Sequence, residues 1–328
     1  MTYKVYVGID VSKFNFDVAW VNKGSKKPKT KQFTNDTKGF DIFHRWIIKQ
    51  SKKEAKDILV LMEATGVYHE NLAYTLYDMG FGVSVVNPTY VKQFAGAMGS
   101  HSKTDKQDAK VLAQYASIKE IRLWEPEPED VRYLKQLIAR LDALEMDKQR
   151  EKNRLEKLLS SKNNDVFLLE SLQEMLDNLD EAIEKVQAKI NEHIDNNPDL
   201  KSGFEHLVSI PGIGEKVAPR VLNLLKSKQF KSASECAAFV GLTPVQRQSG
   251  LMKGKPRISK KGNSTIRSKL YMCAMSAIKY NPDIKVQYER LLANGKCKKV
   301  ALIAAMRKLL QICYGVIKHN SNYQPQIN

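Results

Sequence analysis

The chain is poor in residues that bind soft metals or form cross-links. Its 328 residues include only four cysteines and six histidines. Cys236, Cys273, Cys297 and Cys313 lie far apart and form no C-x-x-C pair. That spacing excludes a zinc ribbon and a disulfide framework, and reads as reduced core thiols in a cytoplasmic protein. The histidines are scattered too, so they suggest no transition-metal site. No apolar run approaches the ~18–20 residues of a membrane span. Residues 1–20 lack the order of a secretion signal. The expectation is a cytoplasmic protein with no membrane partner.

Acid is missing from one long segment. From Cys236 to Pro282 there is no aspartate or glutamate, where the chain's average would place about five. The same segment carries Arg247, Lys253, Lys255, Arg257, Lys260, Lys261 and Arg267, interleaved with Gly241, Gly250, Gly254 and Gly262. A solvated helix face would mix the two signs. A glycine-rich, uniformly basic surface suits contact with a nucleic-acid backbone. The whole chain points the same way, since Lys and Arg outnumber Asp and Glu 53 to 36 for a net charge of +17. At 42% apolar residues, the chain can build real cores and is not broadly disordered.

Periodicity divides the rest. KVYVGID (4–10), FDVAWVN (16–22) and KTKQFTN (29–35) alternate as strands. A helix follows over TKGFDIFHRWIIKQ, then a doubly buried strand in DILVLMEA, a helix ending at Gly80 and a strand in GVSVVNP. Helices at about 89–98 and 104–118 complete an α/β region with a mixed sheet. From Val131 leucines recur at steps of three and four, break at SSKNND (160–165) and resume to Ile190. Two long heptad helices joined by a polar loop read as an antiparallel coiled-coil arm that spaces domains or pairs subunits. Lys148 and Glu151 at seam positions predict looser packing there.

SIPGIGEKVAPRVLNLL then carries the P-G-x-G turn of a helix-hairpin-helix element. Gly212 and Gly214 would let backbone approach a phosphate. Pro219 predicts a late start or a bend in the second helix. The expected division is 1–125, 126–200 and 201–328.

Four carboxylates fall at positions that a fold could unite. Asp10 closes the first strand and Glu63 the fourth, while Asp105 and Asp108 share a helix face at i and i+3. Singly, each is an ordinary turn, cap or solvated-face residue. Brought together they would repel unless cations neutralised them. All-oxygen ligands favour Mg²⁺, or alternatively Mn²⁺. Two such ions can serve a displacement at phosphorus. Ser249 in the glycine-flanked loop is by type a turn residue, although a hydroxyl among cations beside a metal site could attack a phosphodiester.

GIDVSK (8–13), MEATGVYHENL (62–72), HSKTDKQDAKVLA (101–113), SIPGIGEKVA (209–218) and GLTPVQRQSG…KGN…R (241–267) occur in one order along nearly the whole chain. Together they resemble the DEDD transposases of insertion sequences, the group that includes the pilin-gene invertases. The resemblance implies a RuvC-like, RNase H-like α/β domain, a coiled-coil arm and a mainly α transposase domain with a helix-hairpin-helix. It implies Asp10, Glu63, Asp105 and Asp108 as a metal-binding tetrad, and Ser249 as the nucleophile of a phosphoserine link to DNA. It further implies donor and target DNA, a structured noncoding guide RNA and a homo-oligomer, dimer or tetramer. Two alternatives from the residues are a metal-dependent nuclease or junction resolvase, in which water attacks, and a noncatalytic architectural protein.

Overall fold

Alternation in the first twenty residues produces a β-hairpin. β1 (Val5–Val11) and β2 (Asn15–Asn22) pair antiparallel, and β3 (Lys29–Thr34) adds antiparallel to β2. β4 (Ile58–Glu63) and β5 (Gly82–Val86) extend the sheet in parallel on the other side, giving the order β3-β2-β1-β4-β5. Parallel neighbours need crossovers, and α1 (Thr37–Ser51) and α2 (Glu70–Asp78) supply them. The computed structural model describes residues 3–24, 28–64, 66–98, 104–162, 165–245, 248–249, 252–253, 257–259 and 261–326. For 248–249 and 252–253 the backbone alone is described.

Each strand has two faces because side chains alternate across it. Val5, Val7, Ile9 and Val11 pack in one core with Phe40, Phe43 and Ile47 of α1 and with Leu72 and Leu76 of α2. Tyr6, Leu59 and Leu61 belong to the opposite core, with Val91 of α3 (Pro88–Ala97) and Ala109, Leu112 and Ala113 of α4 (Asp105–Ile118). The first unit, Met1–Pro126, is therefore a mixed sheet with helices on both faces.

The second unit, Glu127–Asn328, is mainly helical. Its first two helices, α5 (Glu129–Leu159) and α6 (Val166–Asp195), are 31 and 30 residues long. They run antiparallel: Lys148 pairs with Asp180, while His193 Nε2 lies 2.9 Å from the carbonyl of Asp130. Every buried residue of α5 precedes Lys148, and Leu155 and Leu158 beyond it are only half-buried. Packing thus thins where the two charged seam residues sit.

The inner half of this hairpin is built into the unit's core. Val131, Leu134, Ile138, Leu141, Ile190 and Ile194 pack with residues of α7 (Pro198–Val208), α8 (Ala218–Lys226), α9 (Ala233–Val240), α10 (Ser264–Tyr280), α11 (Pro282–Ala293) and α12 (Lys298–His319). α8 starts late, so Pro219 occupies its first turn, where a missing N–H costs nothing.

One buried cation ties hairpin to core. Arg220 of α8, 4% exposed, donates to Asp142 Oδ1 at 2.8 Å, Glu145 Oε1 at 3.1 Å and the Lys216 carbonyl at 2.7 Å. Burial opposes charge on Glu145, yet the hydrogen bond from Lys269 at 2.7 Å and the Arg220 guanidinium hold its carboxyl below the usual range. Arg220→Ala is expected to lose about 2–4 kcal/mol in denaturant unfolding, the partners being partly exposed. Arg220→Lys should recover less than half, because one ammonium cannot reproduce the fork.

One expectation needs qualifying and another needs correction. α12 is long and apolar enough to cross a membrane by length and composition, although Arg307 and Lys308 break its apolar run in the sequence. Its apolar residues Ala301, Leu302, Ala305, Leu309, Leu310 and Cys313 are buried in the helical core. Cys236, Cys273 and Cys313 are core thiols, but Cys297 is exposed, because it caps the start of α12 instead of lying on its packed face.

Candidate functional site

The parallel pairing of β1 and β4 sets the site. Ile9 lies beside Met62, so the next residues, Asp10 and Glu63, lie at the carboxyl ends of adjacent central strands, Glu63 as the last residue of β4 and Asp10 one residue before the end of β1, which pairing with Phe16 carries on to Val11. Alternation from Tyr6 and Leu61 directs both toward the α4 face. α4 begins at Asp105, its N-cap Thr104 accepting from the Gln107 amide at 3.3 Å. Asp105 and Asp108 stand in its first turn, where the positive end of the helix dipole favours carboxylates.

Gly8 allows that approach, a role strand periodicity does not reveal. A Cβ there would lie 2.2 Å from the Ala109 carbonyl oxygen and 2.3 Å from the Ala113 amide nitrogen. With no side chain at Gly8, the α4 backbone rests directly on β1. Gly8→Ala must lift the helix and its two aspartates away. A destabilisation of about 1–3 kcal/mol is expected from overpacking, read by thermal melting.

The carboxylates sense one another. Asp10 is half-buried, and its carboxyl is pushed up to about 6, first by burial and then by the charges of Asp105, Asp108, Glu63 and Asp17. Among the described residues, no three acidic, histidine or cysteine side chains gather tightly enough to hold an ion as they stand. The four form an electrostatic cluster. Its donors are all carboxylate oxygens, and its internal repulsion is what a hard divalent cation relieves, so the residues fit such a cation in kind.

Asp17 is the acid that sequence reading missed. It sits opposite Asp10 on β2, 5% exposed, and accepts from Gln32 Nε2 at 2.8 Å. The available signal was a lone acid in the otherwise apolar alternation of FDVAWV.

The second unit carries Ser249 on a small ribbon. β6 (Pro244–Val245) pairs with β9 (Arg257–Ile258), and inside them β7 (Gln248–Ser249) pairs with β8 (Met252–Lys253), with Ser249 opposite Met252. The serine expected in a plain loop thus has strand-paired backbone. Arg257 and Lys261 are exposed. Arg247, Lys255 and Lys260 lie outside the described residues, and Lys253 is described by its backbone alone.

Arg267 is half-buried and donates to the Val240 carbonyl at 2.9 Å and the Gly262 carbonyl at 3.0 Å, bracing the turn around Gly241. Gly212 has φ +106°, and a Cβ there would lie 2.7 Å from that of Ala277, so its close neighbour is α10. Gly214 is exposed, with open space where a Cβ would project. The structure brings Glu63, Asp105 and Asp108 within electrostatic reach of Asp10 in the first unit, while Ser249 and the basic segment belong to the second.

Comparison with known proteins covers both units. A transposase family model of the IS110 DEDD type matches residues 7–164, and the model described as transposase IS116/IS110/IS902 family matches residues 204–289. The chain is 32% identical to the pilin gene-inverting protein of Moraxella lacunata over 99% of both chains. The counterpart from Moraxella bovis is equally similar. The transposase for insertion sequence element IS1328 of Yersinia enterocolitica is 24% identical, over 94% of this chain and 96% of its own.

Proposed function

Since the chain belongs to the IS110/IS116/IS902 family of transposases, we propose that it is a recombinase that mobilises its own insertion sequence, guided by a structured noncoding RNA. The observation that carries the reading is the gathering of Glu63, Asp105 and Asp108 about the half-buried Asp10, whose carboxyl is pushed up first by burial and then by their charges, so that four acids from three separate parts of the chain act on one another. Those four would hold Mg²⁺, or Mn²⁺ in its place. When bound, the metal supplies positive charge that polarises a phosphate and eases ionisation of a nearby hydroxyl.

The chain's own residues do the rest. Ser249 Oγ attacks phosphorus, forming a P–O bond to serine and breaking the bond to the 3′ oxygen. The proton lost by serine balances the one gained by the departing 3′-hydroxyl. The 5′-phosphoserine keeps the phosphodiester's energy, so rejoining needs no ATP. Arg247, Lys253, Lys255, Arg257, Lys260, Lys261 and Arg267 contact nucleic-acid backbones, and Gly212 and Gly214 open a helix-hairpin-helix against a phosphate. The division 1–125, 126–200 and 201–328 assigns these tasks to a RuvC-like domain, a coiled-coil arm and a transposase domain.

Carboxylates and serine in different units suit a dimer or tetramer whose subunits complete one another's sites. A net charge of +17 suits a protein covering both DNA and RNA in the cytoplasm. Base pairing then reads sequence while the protein reads shape, as in other guided systems. The test is to purify the protein from its native host and sequence the RNA that accompanies it. RNA from the flanks of its own gene is expected; bulk cellular RNA alone would refute guidance.

A further inference from the structure

Beside the carboxylate cluster, the loops leaving β1 and β4 expose residues that a folded chain normally hides. Phe14 is 71% exposed, Val67 68% and Tyr68 44%. Lys13 Nζ lies 5.1 Å from the centre of the Phe14 ring and extends the patch with a cation. These loops begin just beyond Asp10 and Glu63, at the carboxyl ends of parallel strands, where open α/β sheets bind their ligands.

The patch is also held in place. Asn35 Nδ2 donates to the carbonyls of Ser12 at 2.9 Å and Tyr68 at 3.1 Å, joining the two loops. The Asn35 amide donates to the Phe14 carbonyl at 2.8 Å. Ser12 Oγ closes the β1–β2 turn on the Asn15 carbonyl at 2.7 Å. A hydrogen-bonded mount under exposed rings is a costly arrangement for a surface with nothing to bind.

We propose that Phe14 and Tyr68 form a stacking platform for an unpaired base next to the phosphate held at the carboxylate cluster. Nucleic acid is the occupant because the platform combines aromatic faces with Lys13, so that bases stack while the adjoining phosphate meets a cation. Unpaired bases are required because in a duplex their faces are already stacked. The platform deepens the proposed function and rests on reading the carboxylates as the cutting site.

The test uses the full-length protein in an Asp10→Asn background, so that binding is read without cutting. The probe is a DNA duplex with a single-stranded extension carrying 2-aminopurine, whose fluorescence is quenched by stacking, alongside an RNA copy. Quenching is expected with the extension and not with the fully paired duplex. Phe14→Ala or Tyr68→Ala should weaken extension binding about 5- to 100-fold. Phe14→Tyr should bind and quench as Phe14 does, whereas Phe14→Leu, equally apolar, should lose quenching. The DNA probe is the one expected to respond, because the cut strand is DNA; quenching by the RNA copy alone overturns the platform. Full quenching by Phe14→Leu, or quenching by neither probe, overturns the platform. Undiminished cleavage by Asp10→Asn in a separate assay instead overturns the function it rests on.

Discussion

Asp10→Asn is expected to lower strand cleavage by about 10²–10³-fold or more while making the metal-free protein more stable. The two effects share one cause. Asp10's carboxyl lies above its ordinary range because burial and four neighbouring acids disfavour its charge. Folded protein therefore binds a proton at Asp10 more tightly than unfolded chain does. Between the ordinary carboxylate range and about 6, the wild type loses stability as pH rises. Asparagine cannot ionise, so the variant should be more stable than wild type by about 1–2 kcal/mol near pH 8, after discounting for partial exposure. That advantage should vanish near pH 4.

Millimolar Mg²⁺ should then reverse the order. An ion bound by the folded state alone raises the melting temperature, and it should do so for wild type and not for Asp10→Asn. Melting curves at pH 4 and pH 8, with and without Mg²⁺, read all of this. Equal Mg²⁺ shifts for both proteins would remove Asp10 from the metal site.

Much of this site was legible because its signals are local. The strand-end positions of Asp10 and Glu63 follow from two short alternating or apolar runs, and the i, i+3 spacing of Asp105 and Asp108 follows from one helix. Asp17 was not legible, because its importance depends on standing opposite Asp10, a cross-strand register that alternation does not supply. Gly8 was hidden for a related reason: a glycine in a strand signals weakness until the helix resting on it is known. The ribbon around Ser249 consists of two-residue strands, too short for any period to show. The bonds of Arg267 to the Val240 and Gly262 carbonyls were not legible either, because they are tertiary facts that its charge does not disclose.

Ser249→Ala carries the second large effect: complete loss of a covalent protein–DNA adduct, with the fold unchanged. Ser249 pairs with Met252 through backbone, so removing a hydroxyl leaves the ribbon's ladder intact. Incubating end-labelled DNA with protein and denaturing the mixture should trap the phosphoserine species with wild type and none with the variant. Cleavage that continues without adduct would assign attack to water and make the protein a metal-dependent nuclease. An adduct that persists in Ser249→Ala would place the nucleophile elsewhere.

Mixing the two inactive proteins then tests the oligomer. Asp10 and Ser249 belong to different units, so a site completed between subunits can combine an intact carboxylate cluster from one copy with an intact serine from another. Co-expressed Asp10→Asn and Ser249→Ala chains should recover a measurable fraction of recombination, with every adduct on the Asp10→Asn chain. If each chain instead closes its own site, the mixture stays inactive at any ratio.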